Sequence, residues 1–527
     1  MQLSELSRLW CAAVLVFFFA CTAAQPARGQ TAARGSGAEQ RAAQAFDAAR
    51  TNPLALRMFL RAMPKGADLH YHLSGGVYAE SFIRAGAEDG LCVDLARMAF
   101  VKPVASSTSE SQAASCEKGT VSAASALTNQ HIYDALIDSF SMRSFVPHAG
   151  VSGHDHFFDA FGKFDGVSPR HKAEWLDEAA TRAAAQNEQY LELMETPDFS
   201  HAAKLALETG WKDDLKLLRD ELLARRLRED VPGTLSHFKQ AESGRRERER
   251  CGTPDAAAAC TVEIRFLYQV LRGLPKEIVF AQTLLGFETA SADPETVVGI
   301  NFVMPEDGFT SMHDYALHMK MVKYLHEVYP KVRITLHAGE LAFGLVTPEG
   351  LCCHIRQAVE AGAERIGHGI DVMYEERPEE LLKEMAAKHV MVEINLTSND
   401  VILGVRGKEH PLPIYRKFGV PVALSTDDEG VSRIDLTNEY VRAVQTYGFS
   451  YSDLKKMVRT GLEHSFMPGA SLWEKQDAFT RSVSACSHGA IGAEKPTSGC
   501  AEFLKSSAKA RQQWELEHRF RAFEEEF

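Results

Sequence analysis

Residues 67–73 read Ala67-Asp68-Leu69-His70-Tyr71-His72-Leu73. Side chains alternate along an extended strand, so His70 and His72 share one face, about 6.5 to 7 Å apart along the chain. Two imidazoles on one face can hold one metal ion. On a barrel strand that face is the interior, and the strand's C-terminal end is the mouth where barrel enzymes keep their sites. Three later groups have the same character: Leu336-His337-Ala338-Gly339-Glu340, Gly367-His368-Gly369 and Ser425-Thr426-Asp427-Asp428. His337 closes the run Ile334-Thr335-Leu336, and Asp427 follows Val422-Ala423-Leu424, so each falls at the end of an apolar run. Working outward, eight short runs are expected to be strands: 67–73, 189–194, 261–270, 297–302, 333–337, 365–368, 390–396 and 420–427. Helical patterns separate them, as at 378–388, where Leu381, Leu382 and Met385 fall on one side. Strands alternating with helices predict the α/β class with a parallel sheet. Ligands scattered from His70 to Asp427 must converge on one ion, which makes this one large barrel and not a string of domains.

The chain has 527 residues, 45% hydrophobic and 24% charged, a composition that excludes collagen-like, disordered and small disulfide-scaffold proteins. Its 58 Lys+Arg against 71 Asp+Glu give a formal charge of −13, which repels phosphate backbones and excludes nucleic acid polymers as partners. Residues 1–24 hold Arg8, an uncharged run over 9–20 and then small residues. That run is short of the roughly 20 residues of a bilayer span, so a cleaved signal peptide is expected and no transmembrane segment, with export to the periplasm or beyond. Phe18-Phe19-Ala20-Cys21 is a poorer fit, to a lipoprotein signal anchored at Cys21. Residues 25–50 read as a flexible leader.

Export implies an oxidising compartment. Outside the signal the cysteines fall into local pairs, Cys92 with Cys116, Cys251 with Cys260, Cys352 beside Cys353, and Cys486 with Cys500. Three of these pairs sit in small-residue stretches and are expected to be disulfides pinning surface loops. A zinc ribbon would need Cys-x-x-Cys, which is absent. Two intervals are too long for plain βα loops, 84–188 and 197–260. The second holds Arg245, Arg246, Arg248 and Arg250 interleaved with Glu247 and Glu249, read as a solvated helix and not a polyanion site. A second His-x-His, His154-Asp155-His156, lacks a strand context; it opens a helical run with Phe157, Phe158, Phe161 and Phe164, expected to be structural or cleft-lining.

Three imidazoles and one carboxylate suit Zn²⁺, one per chain, with a fourth or fifth position left for water. Zinc lowers its water's pKa from 15.7 toward about 7. Glu340, three residues past His337, and His368 supply an acid and a base or electrostatic partner. Taken alone, Asp427-Asp428 would be a turn or helix cap; recurrence of all four groups at strand ends makes the set one of metal-assisted hydrolysis.

At these residues the sequence resembles the adenosine/AMP deaminase family of metal-dependent hydrolases. Met63-Pro64-Lys65 leading into Leu69-His70-Tyr71-His72-Leu73-Ser74-Gly75 is similar to the family's opening motif. His337-Ala338-Gly339-Glu340, Arg365-Ile366-Gly367-His368-Gly369 and Ser425-Thr426-Asp427-Asp428 are similar to its later ones. Export, cysteines and a long N-terminal half resemble the secreted, growth-factor-related branch. The resemblance implies a (β/α)₈ TIM barrel over 51–510, with insertions at about 84–188 and 197–260 and a C-terminal helix over 511–527 that docks Phe520, Phe523 and Phe527. It implies zinc on His70, His72, His337 and Asp427. Glu340 would protonate purine N1, His368 would orient the attacking water and take its proton, and Asp428 would contact N7 and the attacking hydroxyl, giving inosine and ammonia from adenosine. The His-x-Glu with Pro-Cys-x-x-Cys signature of other zinc deaminases is absent.

Three places depart from the family pattern, and with Gly75 and Asp428 the first two mark the substrate-binding side. Ser74 stands where an Asp often reaches the ribose. Met304, in Asn301-Phe302-Val303-Met304-Pro305-Glu306, stands where a Gly usually approaches the purine. Glu393-Ile394-Asn395-Leu396-Thr397-Ser398-Asn399 replaces Glu-Cys-Pro-x-Ser-Asn. The expected partner is a small purine nucleoside. Ser74 and Met304 keep open an alternative zinc hydrolase of another amino-heterocycle or amide; a binding protein that has lost catalysis is at odds with an intact Glu340 and His368.

Overall fold

The computed structural model describes residues 37–104 and 115–527. The expected signal peptide, the lipoprotein reading at Cys21, residues 25–36 of the expected leader and residues 105–114 lie outside the described residues. The strands are β1 (Gly66–His72), β2 (Cys92–Asp94), β3 (Ala99–Val101), β4 (Thr120–Ser122), β5 (Glu188–Glu195), β6 (Glu263–Leu271), β7 (Val297–Val303), β8 (Arg333–Ala338), β9 (Arg365–His368), β10 (Met391–Ile394) and β11 (Val422–Leu424). Eight of them form one sheet in the order β1-β5-β6-β7-β8-β9-β10-β11, every pairing parallel. The sheet closes on itself just past β11: the Asp427 N–H donates to the His70 carbonyl at 2.9 Å, and the His72 N–H to the Asp427 carbonyl at 3.0 Å. This is the (β/α)₈ barrel, with all eight expected strands in place. The strands are largely buried, but only some, such as Val297–Val303 and Val422–Leu424, read as apolar runs, while β1 and β5 carry buried polar and charged residues among the apolar ones.

The last expected strand, 420–427, is cut to Val422–Leu424. Its C-terminal residues depart from regular strand geometry, Asp427 taking a left-handed backbone, φ +64°, while still bridging to Tyr71 of β1.

The leader reading needs correction. Gly37–Ala49 is a helix, with Ala42 and Phe46 fully buried. These residues lie four apart on one face, and the Phe46 ring packs 5.4 Å from Phe59. The C-terminal helix Ala508–Glu525 comes to the same place, burying Phe520 and Phe523 with the Phe523 ring 5.1 Å from Phe59. Arg245 is also not solvated. It is fully buried in helix Val231–Arg248, its guanidinium held by Glu242 at 2.7 Å and Glu249 at 2.9 Å; interleaved acids at i−3 and i+4 serve as partners on one helix face instead of solvating it.

The first insertion carries a small antiparallel sheet, β3-β2-β4, and the helix Gly153–Lys163. The second carries three helices, Ser200–Thr209, Leu215–Ala224 and Val231–Arg248. All four local cysteine pairs are disulfides, including the adjacent Cys352–Cys353. Among the described residues no helix is long and apolar enough to cross a membrane.

Below the mouth, the barrel interior is not wholly apolar. Arg365, fully buried on β9, holds Glu192 at 2.7 Å and Glu393 at 2.6 Å. Removing one member of a buried ion network leaves charges without partners and costs about 3–5 kcal/mol. Arg365→Ala is therefore expected to lower the thermal unfolding midpoint sharply, whereas Glu192→Gln leaves one carboxylate still paired and lowers it less; calorimetry that ranks them the other way contradicts this reading of the core.

Candidate metal centre and active site

Strand alternation puts His70 and His72 of β1 inside the barrel mouth, and β8 brings His337 opposite them. His70 Nε2 stands 3.1 Å from His337 Nε2 and 3.2 Å from Asp427 Oδ1. His72 Nε2 stands 3.2 Å from His337 Nε2 and 3.3 Å from Asp427 Oδ1. Two ligand atoms on a tetrahedral zinc, each about 2.0–2.1 Å from it, are about 3.3–3.4 Å apart. These four separations are close to those within a zinc ligand set, and all four residues are buried.

The outer ring of hydrogen bonds agrees with that fit. His70 Nδ1 donates to Glu393 Oε2 at 2.6 Å, His72 Nδ1 to Gln269 Oε1 at 2.8 Å and His337 Nδ1 to Asn301 Oδ1 at 2.8 Å. With protons on Nδ1, all three Nε2 lone pairs face one point, the usual tautomer of a metal-bound imidazole. Asp427 keeps Oδ1 for that point because Ser398 Oγ donates to its Oδ2 at 2.6 Å. Burial, then the charges of His70 and His72, push the His337 pKa well down, while against burial Asp427 with Glu393 raises that of His70 and Asp428 with Asp427 that of His72.

Glu340 and His368 flank the same point, with His368 Nε2 3.6 Å from Glu340 Oε1 and 3.8 Å from Asp427 Oδ2. Burial, then the charges of Asp427 and Glu306, push the Glu340 carboxyl well above the usual carboxylate range. It is a carboxylic acid with a proton to give. The turn carrying it is gripped by Glu306, which accepts the N–H of Gly339 at 3.1 Å and of Glu340 at 2.8 Å. Against the cost of burial, His354 and Arg272 hold the Glu306 carboxyl at about 2.

These residues open into a cavity of about 340 Å³, lined on the polar side by Ser74, Glu340 and Asp428 and on the other by Phe157, Phe158, Phe161, Leu271, Met304 and Ile402. The structure thus brings every expected site residue to one place. Gly75 serves differently from Ser74: a Cβ there would lie 1.6 Å from Asp428 Oδ1, so only glycine lets Asp428 stand where it does. Met304 takes φ +98°, a conformation natural to glycine, with its sulfur 3.2 Å from the Gly273 N–H. The backbone therefore keeps the glycine-like turn while the side chain fills cavity space. His368 (φ +69°) and Asp427 (φ +64°) are left-handed too, strain of the kind that concentrates at functional sites.

The second His-x-His does not join the centre. His154 Nε2 pairs with Asp307 Oδ1 at 2.9 Å, tying the helix Gly153–Lys163 to the loop after β7, and His156 Nε2 donates to the carbonyls of Asp138 and Ser141. Sequence reading missed Gln269, Asn301, Glu306, Glu393, Ser398 and Asn399 as supports of the centre. A partial signal was present for three of them: segment 393–399 keeps a Glu followed by Ser-Asn, one residue further along than in Glu-Cys-Pro-x-Ser-Asn.

Comparison with known proteins agrees with this geometry. Residues 249–476 match the model of the adenosine deaminase family. An adenosine deaminase from Clostridium perfringens is 38% identical over 136 residues, 25% of this chain and 38% of the relative. The aligned part thus spans well under half the relative's length. Among solved structures, an adenine deaminase from Arthrobacter aurescens aligns with TM-score 0.50 at 16% identity, covering 77% of this chain and 94% of that one. An amidohydrolase from Burkholderia ambifaria with bound zinc aligns with TM-score 0.51 at 17% identity, covering 78% and 88%. At such identities these two structures speak for the fold. By its sequence matches the chain is similar to adenosine deaminases over its C-terminal half.

Two outcomes are expected. His70→Ala and Asp427→Ala should lose bound metal, while Glu393→Gln, which leaves the ligands intact, should weaken it 10- to 100-fold; metal analysis and chelator competition check both, and a Glu393→Gln protein with unchanged affinity contradicts the outer-ring assignment. The second concerns pH. Burial works against a charge on His154, but Asp307 and Asp155 raise its pKa above the ordinary imidazole value. A raised folded-state pKa contributes stability below the unfolded value and loses it as pH rises through the folded one. Hydrogen exchange in 153–163 should therefore quicken, beyond its intrinsic pH dependence, as pH rises past the His154 pKa, and Asp307→Asn should abolish that step.

Proposed function

We propose that the protein is a zinc-dependent aminohydrolase that deaminates adenosine or a related 6-aminopurine nucleoside, giving inosine or its analogue and ammonia. One observation carries this reading: three imidazole lone pairs and one carboxylate oxygen converge, at ligand spacing, beside a carboxylic acid held protonated by burial. His70, His72, His337 and Asp427 would hold the zinc. Zinc bound there supplies the Lewis acidity that makes hydroxide available near neutral pH.

The remaining chemistry falls to the chain's own side chains. Glu340 gives its proton to ring N1, which draws electrons from C6 and opens that carbon to attack. His368 and Asp428 form the edge where the attacking oxygen stands. Of the two protons that the oxygen brings, one leaves with the amine as ammonia and the other returns to Glu340, while N1 keeps the proton it was given. Burial, then the charge of Asp427, lifts the Asp428 carboxyl to about 7. Among the described residues no lysine or arginine lines the cavity, which favours an uncharged nucleoside or base over a nucleotide, since a buried phosphate needs a cation or several donors. The exported location read from residues 1–24 belongs to the same proposal, supported by four disulfides.

Met304 is the observation behind a second reading. Its side chain fills cavity space where the glycine-like backbone alone would leave room, and it favours a hydrolase of another amino-heterocycle. The test is an ultraviolet assay of zinc-loaded protein on adenosine, deoxyadenosine, adenine and AMP. Adenosine turnover with little on AMP is expected; no change in any 6-aminopurine removes the first reading. Glu340→Gln should keep its metal and lose at least about 10²-fold in kcat.

A further inference from the structure

The fourth histidine of the site differs from the other three in the polarity of its outer hydrogen bond. His70, His72 and His337 each present Nδ1 to an oxygen, but His368 Nδ1 faces amide nitrogens: Asn399 Nδ2 at 2.9 Å and Asn395 Nδ2 at 3.5 Å. The orientation of the Asn399 amide is set from behind. The Leu412 main-chain N–H donates to His410 Nδ1 at 3.1 Å, which leaves the His410 proton on Nε2, and that nitrogen donates to Asn399 Oδ1 at 3.1 Å. The Asn399 nitrogen must then face His368 and donate. Asn399 and His368 are fully buried and His410 nearly so, and no other order of donors and acceptors satisfies this chain.

A ring nitrogen that accepts a hydrogen bond carries no proton, so neutral His368 carries its proton on Nε2, the atom facing Glu340 and Asp427. A protonated nitrogen has no lone pair for a metal. That separates His368 from the three ligand histidines, although it stands within the same cluster of potential ligands. By the same token it has no lone pair on Nε2 with which to take a proton from water.

We propose that Asn399 and His410 are positioning residues that present His368 to the attacking oxygen as a hydrogen-bond donor, so that His368 orients that oxygen and does not remove its proton. The proposal rests on the deamination reading for the identity of the oxygen, and it replaces the expectation that His368 is the base. Nitrogen-15 NMR of histidine-labelled, zinc-loaded protein, with the His368→Gln spectrum subtracted for assignment, reads the tautomer directly. The Nε2–H form is expected, and the Nδ1–H form overturns the proposal. Kinetics give a second reading. Gln can still donate where Ala cannot, so His368→Gln should retain at least about tenfold more kcat than His368→Ala; equal losses overturn the donor role. Asn399→Asp, which places an acceptor against Nδ1, should lower kcat about 10- to 100-fold with KM and metal content unchanged, and unchanged kcat overturns the positioning role. Should wild-type protein deaminate no 6-aminopurine, the reaction assignment falls while the NMR result still decides the polarity.

Discussion

Three unprotonated imidazole nitrogens and a carboxylate oxygen held within 3.1 to 3.3 Å of their neighbours form an arrangement that repels itself unless a cation stands among them. Much of the structure follows from holding that arrangement. Each ligand is fixed on its far side by a hydrogen-bonding partner, and the partners come from strands and helices all around the barrel: Gln269 from β6, Asn301 from β7, Glu393 from β10 and Ser398 from the helix that follows it. Glu393 is itself bound to Arg365, so the metal centre and the ion network of the barrel floor are one connected structure. A rigid barrel is what lets residues from opposite ends of the chain keep tenths-of-an-ångström spacing.

The barrel closure and the centre are likewise one object. The hydrogen bonds that seal the ring run between the backbones of His70, His72 and Asp427, the residues whose side chains converge. Asp427 takes a left-handed backbone to do this, and Gly75 clears the space for Asp428 beside it. Strain at the strand end is therefore the cost of pointing a carboxylate inward from a chain that would otherwise continue as β-structure.

Hydrogen-bond polarity divides four similar histidines into two kinds. An oxygen behind Nδ1 exposes a lone pair at Nε2 and makes a ligand; an amide nitrogen behind Nδ1 puts a proton at Nε2 and makes a donor. Residue type and position along a strand are the same in both cases. The difference lies in Asn399 and His410, which come from the insertion-free half of the barrel and meet His368 only after folding.

Local pattern was enough for the eight strands, because each is a short apolar or β-branched segment set between helical patterns, and for His70, His72, His337, Glu340, His368, Asp427 and Asp428, because chemistry at strand ends in a parallel barrel must meet at one mouth. The helix at Gly37–Ala49 and the burial of Arg245 were not legible, since both depend on a surface supplied by residues far away: Phe59 for one, and Glu249 with the main chain near Ala259 for the other. Nor could the sequence assign Glu306, Asn301 or Gln269, ordinary polar residues whose role comes from standing behind a particular atom. The sequence by itself determined which groups carry the chemistry and that they converge. Only the tertiary structure decided which nitrogen of each histidine bears the proton, because that is set by partners contributed from other strands and helices, and a one-dimensional pattern holds no record of which way an amide faces.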